Sequence, residues 1–170
     1  MADSARAAVE GPSVVLSMVT DSEALRDVAL RPDGILAGLG RGAVWAEMST
    51  VSPTVTRMLG ERVAEKGAAL LDAPVSGSTV TIAQGQLSFI VGGDAAALER
   101  IRPYLLAIGP TITHVGALGL AVTMKIAVNL EHRRADAGLQ RVRAARREVR
   151  DPAREGGRGH PQERHRPRPC

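Results

Sequence analysis

The sequence of 170 residues has a single cysteine, Cys170, which excludes an internal disulfide framework and any multi-cysteine metal site. Aromatic residues make up only 2%, so a core must be built from Ala, Val, Leu, Ile and Met, which the 44% hydrophobic content permits. No run of about 18 apolar residues occurs, and no helical membrane span is expected. The N-terminal segment MADSARAAVEG has no apolar stretch of the kind a secretory signal needs, so a cytoplasmic location is expected. Lysine is nearly absent, with Lys66 and Lys125 the two in the chain.

What charge there is lies unevenly. Residues 1–130 carry ten Lys and Arg against twelve Asp and Glu, whereas residues 131–170 carry twelve Arg against six acidic residues. The net charge of +4 therefore describes the C-terminal part and not the body. Such a segment attracts phosphates non-specifically. It has no aromatic residue for base stacking and no motif for base readout, so specific nucleic-acid binding is not expected.

Along the chain, short apolar runs alternate with helical patterns. SVVLSMV (13–19), AVWAEMS (43–49), AALLDA (68–73), LSFIVGG (87–93) and TITHV (111–115) read as strands, several buried on both faces. Asp21-Ser22-Glu23 opens a helix to about residue 30, and residues 34–42 read as a turn-rich connection. Ser52 as cap with Pro53 at the first helical position opens a second helix, stopped by Gly67. After a glycine-punctuated loop with a short helical turn, Asp94 caps a third helix, and residues 118–130 form the last well-patterned one. Residues 135–150 are compatible with an Arg-rich helix that continues it, and residues 151–170, rich in Arg, Pro and Gly, are expected to be disordered. This alternation predicts an α/β fold with a mostly parallel sheet and flanking helices.

Four segments, taken in order, carry a resemblance: VVLSMVTD (14–21), EMSTVSP (47–53), DAPVSGS with GQLSFIVGGD (72–78 and 85–94), and HVGALGLAVTMKIAVN (114–129). Together they resemble the β-hydroxyacid dehydrogenase family, which includes 3-hydroxyisobutyrate dehydrogenase and tartronate semialdehyde reductase and has a dinucleotide-binding domain like that of 6-phosphogluconate dehydrogenase. The resemblance implies a partial Rossmann-like domain over residues 1–116, an interdomain helix and Arg-rich extension over 117–150, and a tail over 151–170. It implies NAD or NADP as cofactor, a small 3-hydroxy acid as substrate, and a family habit of forming homo-oligomers.

The site residues follow from the same four segments. Ligands in open α/β sheets bind beyond the carboxyl ends of strands. The resemblance gives cofactor contacts to Val19, Thr20 and Thr50 there; the plain alternative is that these residues form turns and cap the next helix. The family usually has Asp at the position of Glu47. Ser76 and Gly77 resemble a cradle for the substrate carboxylate, with Ser78 where many relatives have Gly. Gly116 and Gly119 allow a tight strand-to-helix join, and Lys125 and Asn129 then share one helical face. Lys125 sits among Ala121, Val122, Met124, Ile126 and Val128. A lysine on so apolar a helix can lose basicity by desolvation, as proton transfer near neutral pH requires. The resemblance gives Lys125 the catalytic role and Asn129 a substrate-orienting one; the alternative is a lysine snorkelling at the rim of a core helix.

Two family features are not found. A G-x-G-x-x-G turn between strand and helix does not occur, and Gly38, Gly40 and Gly42 read as a turn. Beyond Asn129 the resemblance stops where the family continues as a helical, dimerising domain. A reading-frame shift near Leu130 is the expected cause, and the chain by itself is expected to have little activity. A dehydrogenase-like scaffold that binds partners or a nucleotide without catalysis is the competing reading.

Overall fold

The computed structural model describes residues 1–77 and 79–150. Residue 78 and the stretch 151–170, expected to be disordered, lie outside the described residues. Contacts divide the chain into two units, Met1–Asn129 and Leu130–Cys170.

The first unit is built on a six-stranded sheet: β1 (Val14–Ser17), β2 (Val44–Glu47), β3 (Ala69–Asp72), β4 (Val75–Ser76), β5 (Ser88–Gly92) and β6 (Thr111–Gly116). β1–β2, β2–β3 and β5–β6 pair in parallel, and β5 pairs antiparallel with β3 and β4. The antiparallel register is continuous: Asp72 faces Gly92, Val75 faces Phe89 and Ser76 faces Ser88. β4 thus prolongs the line of β3 past Pro74, and β5 meets both on one edge while β6 lies on its other.

Strand β2 explains why the sheet is covered on both sides. Trp45 points into one apolar cluster, and Val44 and Ala46 point into the other. Neighbouring β3 repeats the pattern with Leu70 and Leu71. This is the period-two alternation of a strand with both faces buried. One face is covered by α2 (Ser22–Leu30), through Leu25 and Ala29, and by α4 (Pro53–Glu65), through Val55, Leu59 and Val63. The other is covered by α6 (Ala95–Leu106), through Ala97, Leu98, Ile101 and Leu105.

The helix starts are chemically marked as expected. The Asp21 carboxylate accepts from Glu23 and Ala24 N–H, each at 2.9 Å. Ser52 caps α4, with Pro53 in its first turn, and Asp94 accepts from Ala97 N–H at 2.7 Å. Such caps satisfy N–H groups that have no partner within the helix.

Three elements go beyond the sequence reading. Residues 34–42 are not only turns: they contain the one-turn helix α3 (Ile35–Gly38). The N-terminal segment forms α1 (Ala5–Val9), capped by Ser4, and α1 packs on α3 because Gly38 has no Cβ to strike the carbonyl of Arg6. The loop after β3 holds the short strand β4, before α5 (Thr79–Ala83). Gly40 and Gly42 lie in the turn before β2, so the glycines at 38–42 do not open a helix after a strand. Finally, α7 spans Leu120–Arg150, so the Arg-rich segment continues the preceding helix. Within the second unit, the described side chains of Glu131–Arg141 are exposed, and Arg134 pairs with Glu131 at 3.1 Å.

Candidate active site

The carboxyl ends of β1, β2 and β3 each close on a polar residue after an apolar run: Ser17, Glu47 and Asp72. Register sets them side by side, with Ser17 opposite Glu47 and Glu47 opposite Asp72. Glu47 and Asp72 are each only 2% exposed. A buried carboxylate must be hydrogen-bonded to be tolerated, and both are.

Glu47 ties the loops after β1 and β2 together. Its carboxylate accepts from the Ser17 hydroxyl and, at 2.8 Å, from Ser49 N–H. The Ser49 hydroxyl oxygen in turn accepts from Val19 N–H at 2.7 Å. A second tie runs from Ser52 N–H to the Ser22 hydroxyl at 2.9 Å. Burial pushes the Glu47 carboxyl above the usual carboxylate range, against the hydrogen bonds from Ser17 and Ser49 that favour its charged form.

Asp72 holds the start of α7. One carboxylate oxygen accepts from Gly119 N–H at 3.0 Å and the other from Val122 N–H at 2.9 Å. β6 delivers the chain to this point through Gly116 and Gly119, whose φ values of 111° and 90° L side chains rarely adopt. The join is tight on every side. A Cβ on Gly92 would collide with Asp72 and lie 2.9 Å from the carbonyl oxygen of Ala117, and a Cβ on Gly60 of α4 would strike the Leu118 side chain. The helix therefore starts at Leu120, two residues later than its apolar pattern suggests.

With its N-terminus pinned, α7 turns one face inward. Val122 is fully buried in the cluster that holds Trp45 and Val51, and Leu118 and Ile126 pack against it, as does Val19. Lys125 stands on this helix with 9% of its surface exposed. Desolvation holds its ammonium below the usual lysine range. Asn129, one turn on, is half-buried.

The other expected site residues fall at the same end of the strands, or in β4 and the residue that follows it. Val19 is half-buried and fixed through its N–H, while Thr20 and Thr50 are exposed, each one residue beyond a tied position. Ser76 lies in β4, four residues past Asp72, opposite Ser88. Gly77 is close-packed: a Cβ there would come within 2.6 Å of the Thr81 hydroxyl and 2.7 Å of Leu87. Among the described residues, no hydrogen bond or ion pair joins Ser76 or Gly77 to Lys125.

Sequence reasoning passed over Asp72 and gave no task to Glu47. Their shared signal is an acid closing an apolar strand, VWAE and ALLD, where burial makes a carboxylate costly unless it holds something. The described residues contain no cluster of three or more His, Cys, Asp or Glu able to hold a metal, and no helix among them is long and apolar enough to cross a membrane.

Residues 1–116 match the family model for the NAD binding domain of 6-phosphogluconate dehydrogenase. An NAD-dependent L-serine dehydrogenase of Pseudomonas aeruginosa is 44% identical over 128 residues, covering 75% of this chain and 43% of that protein. A 3-hydroxyisobutyrate dehydrogenase of the same organism is 40% identical over 129 residues, covering 76% and 43%. Among solved structures, the Mycobacterium tuberculosis 3-hydroxyisobutyrate dehydrogenase with L-serine superposes with a TM-score of 0.71 at 32% identity, over 88% of this chain and 48% of that one. The chain thus spans less than half the length of each of these relatives. With its dinucleotide-domain match, its mostly parallel sheet and its dehydrogenase relatives, the chain belongs to the β-hydroxyacid dehydrogenase family.

Proposed function

We propose that this chain carries the proton-transfer and nicotinamide-side parts of an NAD(P)-dependent dehydrogenase acting on a small 3-hydroxy acid. Residues 1–116 serve as the dinucleotide-binding part and α7 as the catalytic helix. The observation that carries this reading is Lys125, buried on a helix whose N-terminus Asp72 fixes through Gly119 and Val122.

The strand ends fit a nicotinamide nucleotide. Thr20 and Thr50 are exposed in the loops after β1 and β2, which the Val19–Ser49 bond joins, and Val19 packs against the core cluster that includes Val122 of α7. Bound there, the nucleotide supplies the hydride acceptor or donor. The chain's own part is proton handling and position. As the neutral amine, which desolvation favours, Lys125 takes the hydroxyl proton of the acid, and as ammonium it returns that proton in the opposite direction. Asn129, one turn away on the same helix, is assigned to orient the substrate hydroxyl. Ser76 and the backbone at Gly77 are assigned to the substrate carboxylate. L-Serine and 3-hydroxyisobutyrate, named in the relatives, are both 3-hydroxy acids and are the first substrates to try.

The test uses the scarcity of lysine. Reductive methylation with a carbon-13 label gives distinguishable NMR signals for Lys66 and Lys125. Lys125 is expected to titrate below the ordinary lysine value of 10.5, and titration at that value would remove the basis for a catalytic lysine. In parallel, Lys125→Met is expected to abolish whatever residual NAD- or NADP-linked oxidation of L-serine or 3-hydroxyisobutyrate the chain sustains.

A further inference from the structure

One polar chain at the ends of β1 and β2 takes no part in the chemistry above. Trp45 Nε1 donates to the Ser17 hydroxyl oxygen at 2.7 Å, and Ser17 donates to Glu47. From the other side, Val19 N–H donates to the Ser49 hydroxyl oxygen at 2.7 Å, and Ser49 N–H donates to Glu47 at 2.8 Å. Both arms end on the same carboxylate. We propose that Glu47 is a positioning residue: a buried carboxylate clasp that holds the loop after β1 against the loop after β2 and loosens when it takes up a proton.

The direction of the bonds is the argument. An ionised carboxylate only accepts, so it can gather donors from both loops at once. A protonated one must donate. The Ser17 hydroxyl oxygen, already in contact with the carboxylate, can receive that proton, but it also accepts from Trp45. Ser17 then accepts twice, and its own hydrogen must turn elsewhere. Thr20 and Thr50 each lie one residue beyond a bonded member of the chain, Val19 or Ser49. The clasp therefore sets the spacing of the two hydroxyls.

Among the described residues, no other titratable side chain is bonded to the same donors. β1 contributes none. Asp72, opposite on β3, has both oxygens taken by Gly119 and Val122 N–H. On the helices of this face, Lys125 of α7 is buried, and the charged residues of α2 and α4 are exposed. Burial works in the same sense as the proposal, raising the proton affinity of Glu47.

The proposal rests on the preceding reading only in assigning these loops to the dinucleotide, and one experiment separates the two. Trp45 is the sole tryptophan, so the nitrogen-15-labelled full chain gives one indole N–H signal. Between about pH 4 and pH 8 this signal and the amides of Val19 and Ser49 are expected to share a midpoint above the ordinary 4.5 of glutamate. The indole proton should move upfield as Glu47 gains its proton, because Ser17 becomes a weaker acceptor. Glu47→Gln should flatten all three. Ser17→Ala should flatten the indole signal and leave Ser49 titrating, which keeps the test open if the first variant folds poorly. Signals that do not titrate, or that titrate unchanged in Glu47→Gln, overturn the clasp.

Millimolar NADP is the second arm. It is expected to shift the Thr20 and Thr50 amides, with half-saturation severalfold higher in Glu47→Gln. Amides that stay still while the clasp titrates overturn the cofactor reading alone. Half-saturation unchanged in Glu47→Gln overturns the positioning role.

Discussion

Glu47 and Asp72 are register partners at the ends of neighbouring parallel strands, equally buried, and they do different work. Glu47 accepts from two loops that follow strands, through Ser17 and Ser49. Asp72 accepts from the first turn of a helix, where two N–H groups and the helix dipole both favour a negative charge. One carboxylate faces a hydroxyl that can turn beside one backbone N–H; the other faces a fixed pair of backbone N–H groups at a helix end. The same residue chemistry at the same height in the sheet is thus a movable tie in one place and a structural anchor in the other.

The comparison breaks most sharply at Asp72. Asp72→Ala leaves Gly119 and Val122 N–H buried without an acceptor, and it is expected to cost about 2–4 kcal/mol of unfolding free energy. Asp72→Asn keeps one acceptor and should lose less. Urea denaturation followed by circular dichroism measures both, and a loss from Asp72→Ala under about 1 kcal/mol would mean that α7 is held by its apolar face alone. Next comes Gly92→Ala. Its methyl would press on Asp72 and on the Ala117 carbonyl oxygen, a backbone atom that cannot swing aside. A cost of about 1–3 kcal/mol is expected in the same experiment.

Those two positions also mark how far the sequence could be read. The strands of the sheet and the larger helices were legible because apolar runs and capping residues are local signals: Asp21, Ser52 and Asp94 each cap the helix that their position announces. β4 was not, because its pairing depends on β5 lying across a register that no local pattern encodes. α1 was missed for a similar reason, since its five residues are held by contact with Gly38, far along the chain. In the site, Lys125 stood out as a rare lysine in an apolar helix. The uses of Asp72 and Glu47 became visible only with the fold, because the partners of Asp72 lie 47 and 50 residues away and Ser17, one of the two partners of Glu47, lies 30 residues away.

Glu47 should give a smaller effect, and one that depends on pH. Its proton affinity is raised in the folded chain, so the folded state binds more protons than the unfolded one above the ordinary glutamate value of 4.5. Stability from this group is therefore full below that value and falls as pH rises through the folded pKa. The loss is about 1.4 kcal/mol for each pH unit that separates the folded from the unfolded value. Glu47→Gln should remove that slope. Asp21 and Glu99, whose carboxyls are held below the usual range by hydrogen bonds from Ala24 and Arg102 respectively, act in the opposite sense and are present in both proteins, so the difference between variant and parent isolates Glu47. Parallel stability curves for the two from about pH 4 to pH 8 would show that burial and hydrogen bonding cancel at this carboxylate.

The smallest effect is expected at Lys125, and its sign is the informative part. Burial lowers the basicity of this lysine, so the unfolded chain binds more protons than the folded one between the lowered value and the ordinary 10.5. Stability must then rise with pH through that window, opposite to the trend for Glu47. Lys125→Met keeps the length and the apolar stem, removes the charge that burial penalises, and leaves the Asp72 cap untouched. It should unfold at a slightly higher temperature near pH 7, by under about 1 kcal/mol in free energy, and the advantage should shrink toward pH 10 as the buried lysine of the folded parent becomes neutral. A residue kept for structure would destabilise the chain on removal. A residue kept for proton transfer, at a cost to stability, would stabilise it, and thermal melts of the two proteins at the two pH values distinguish these cases without any assay of turnover.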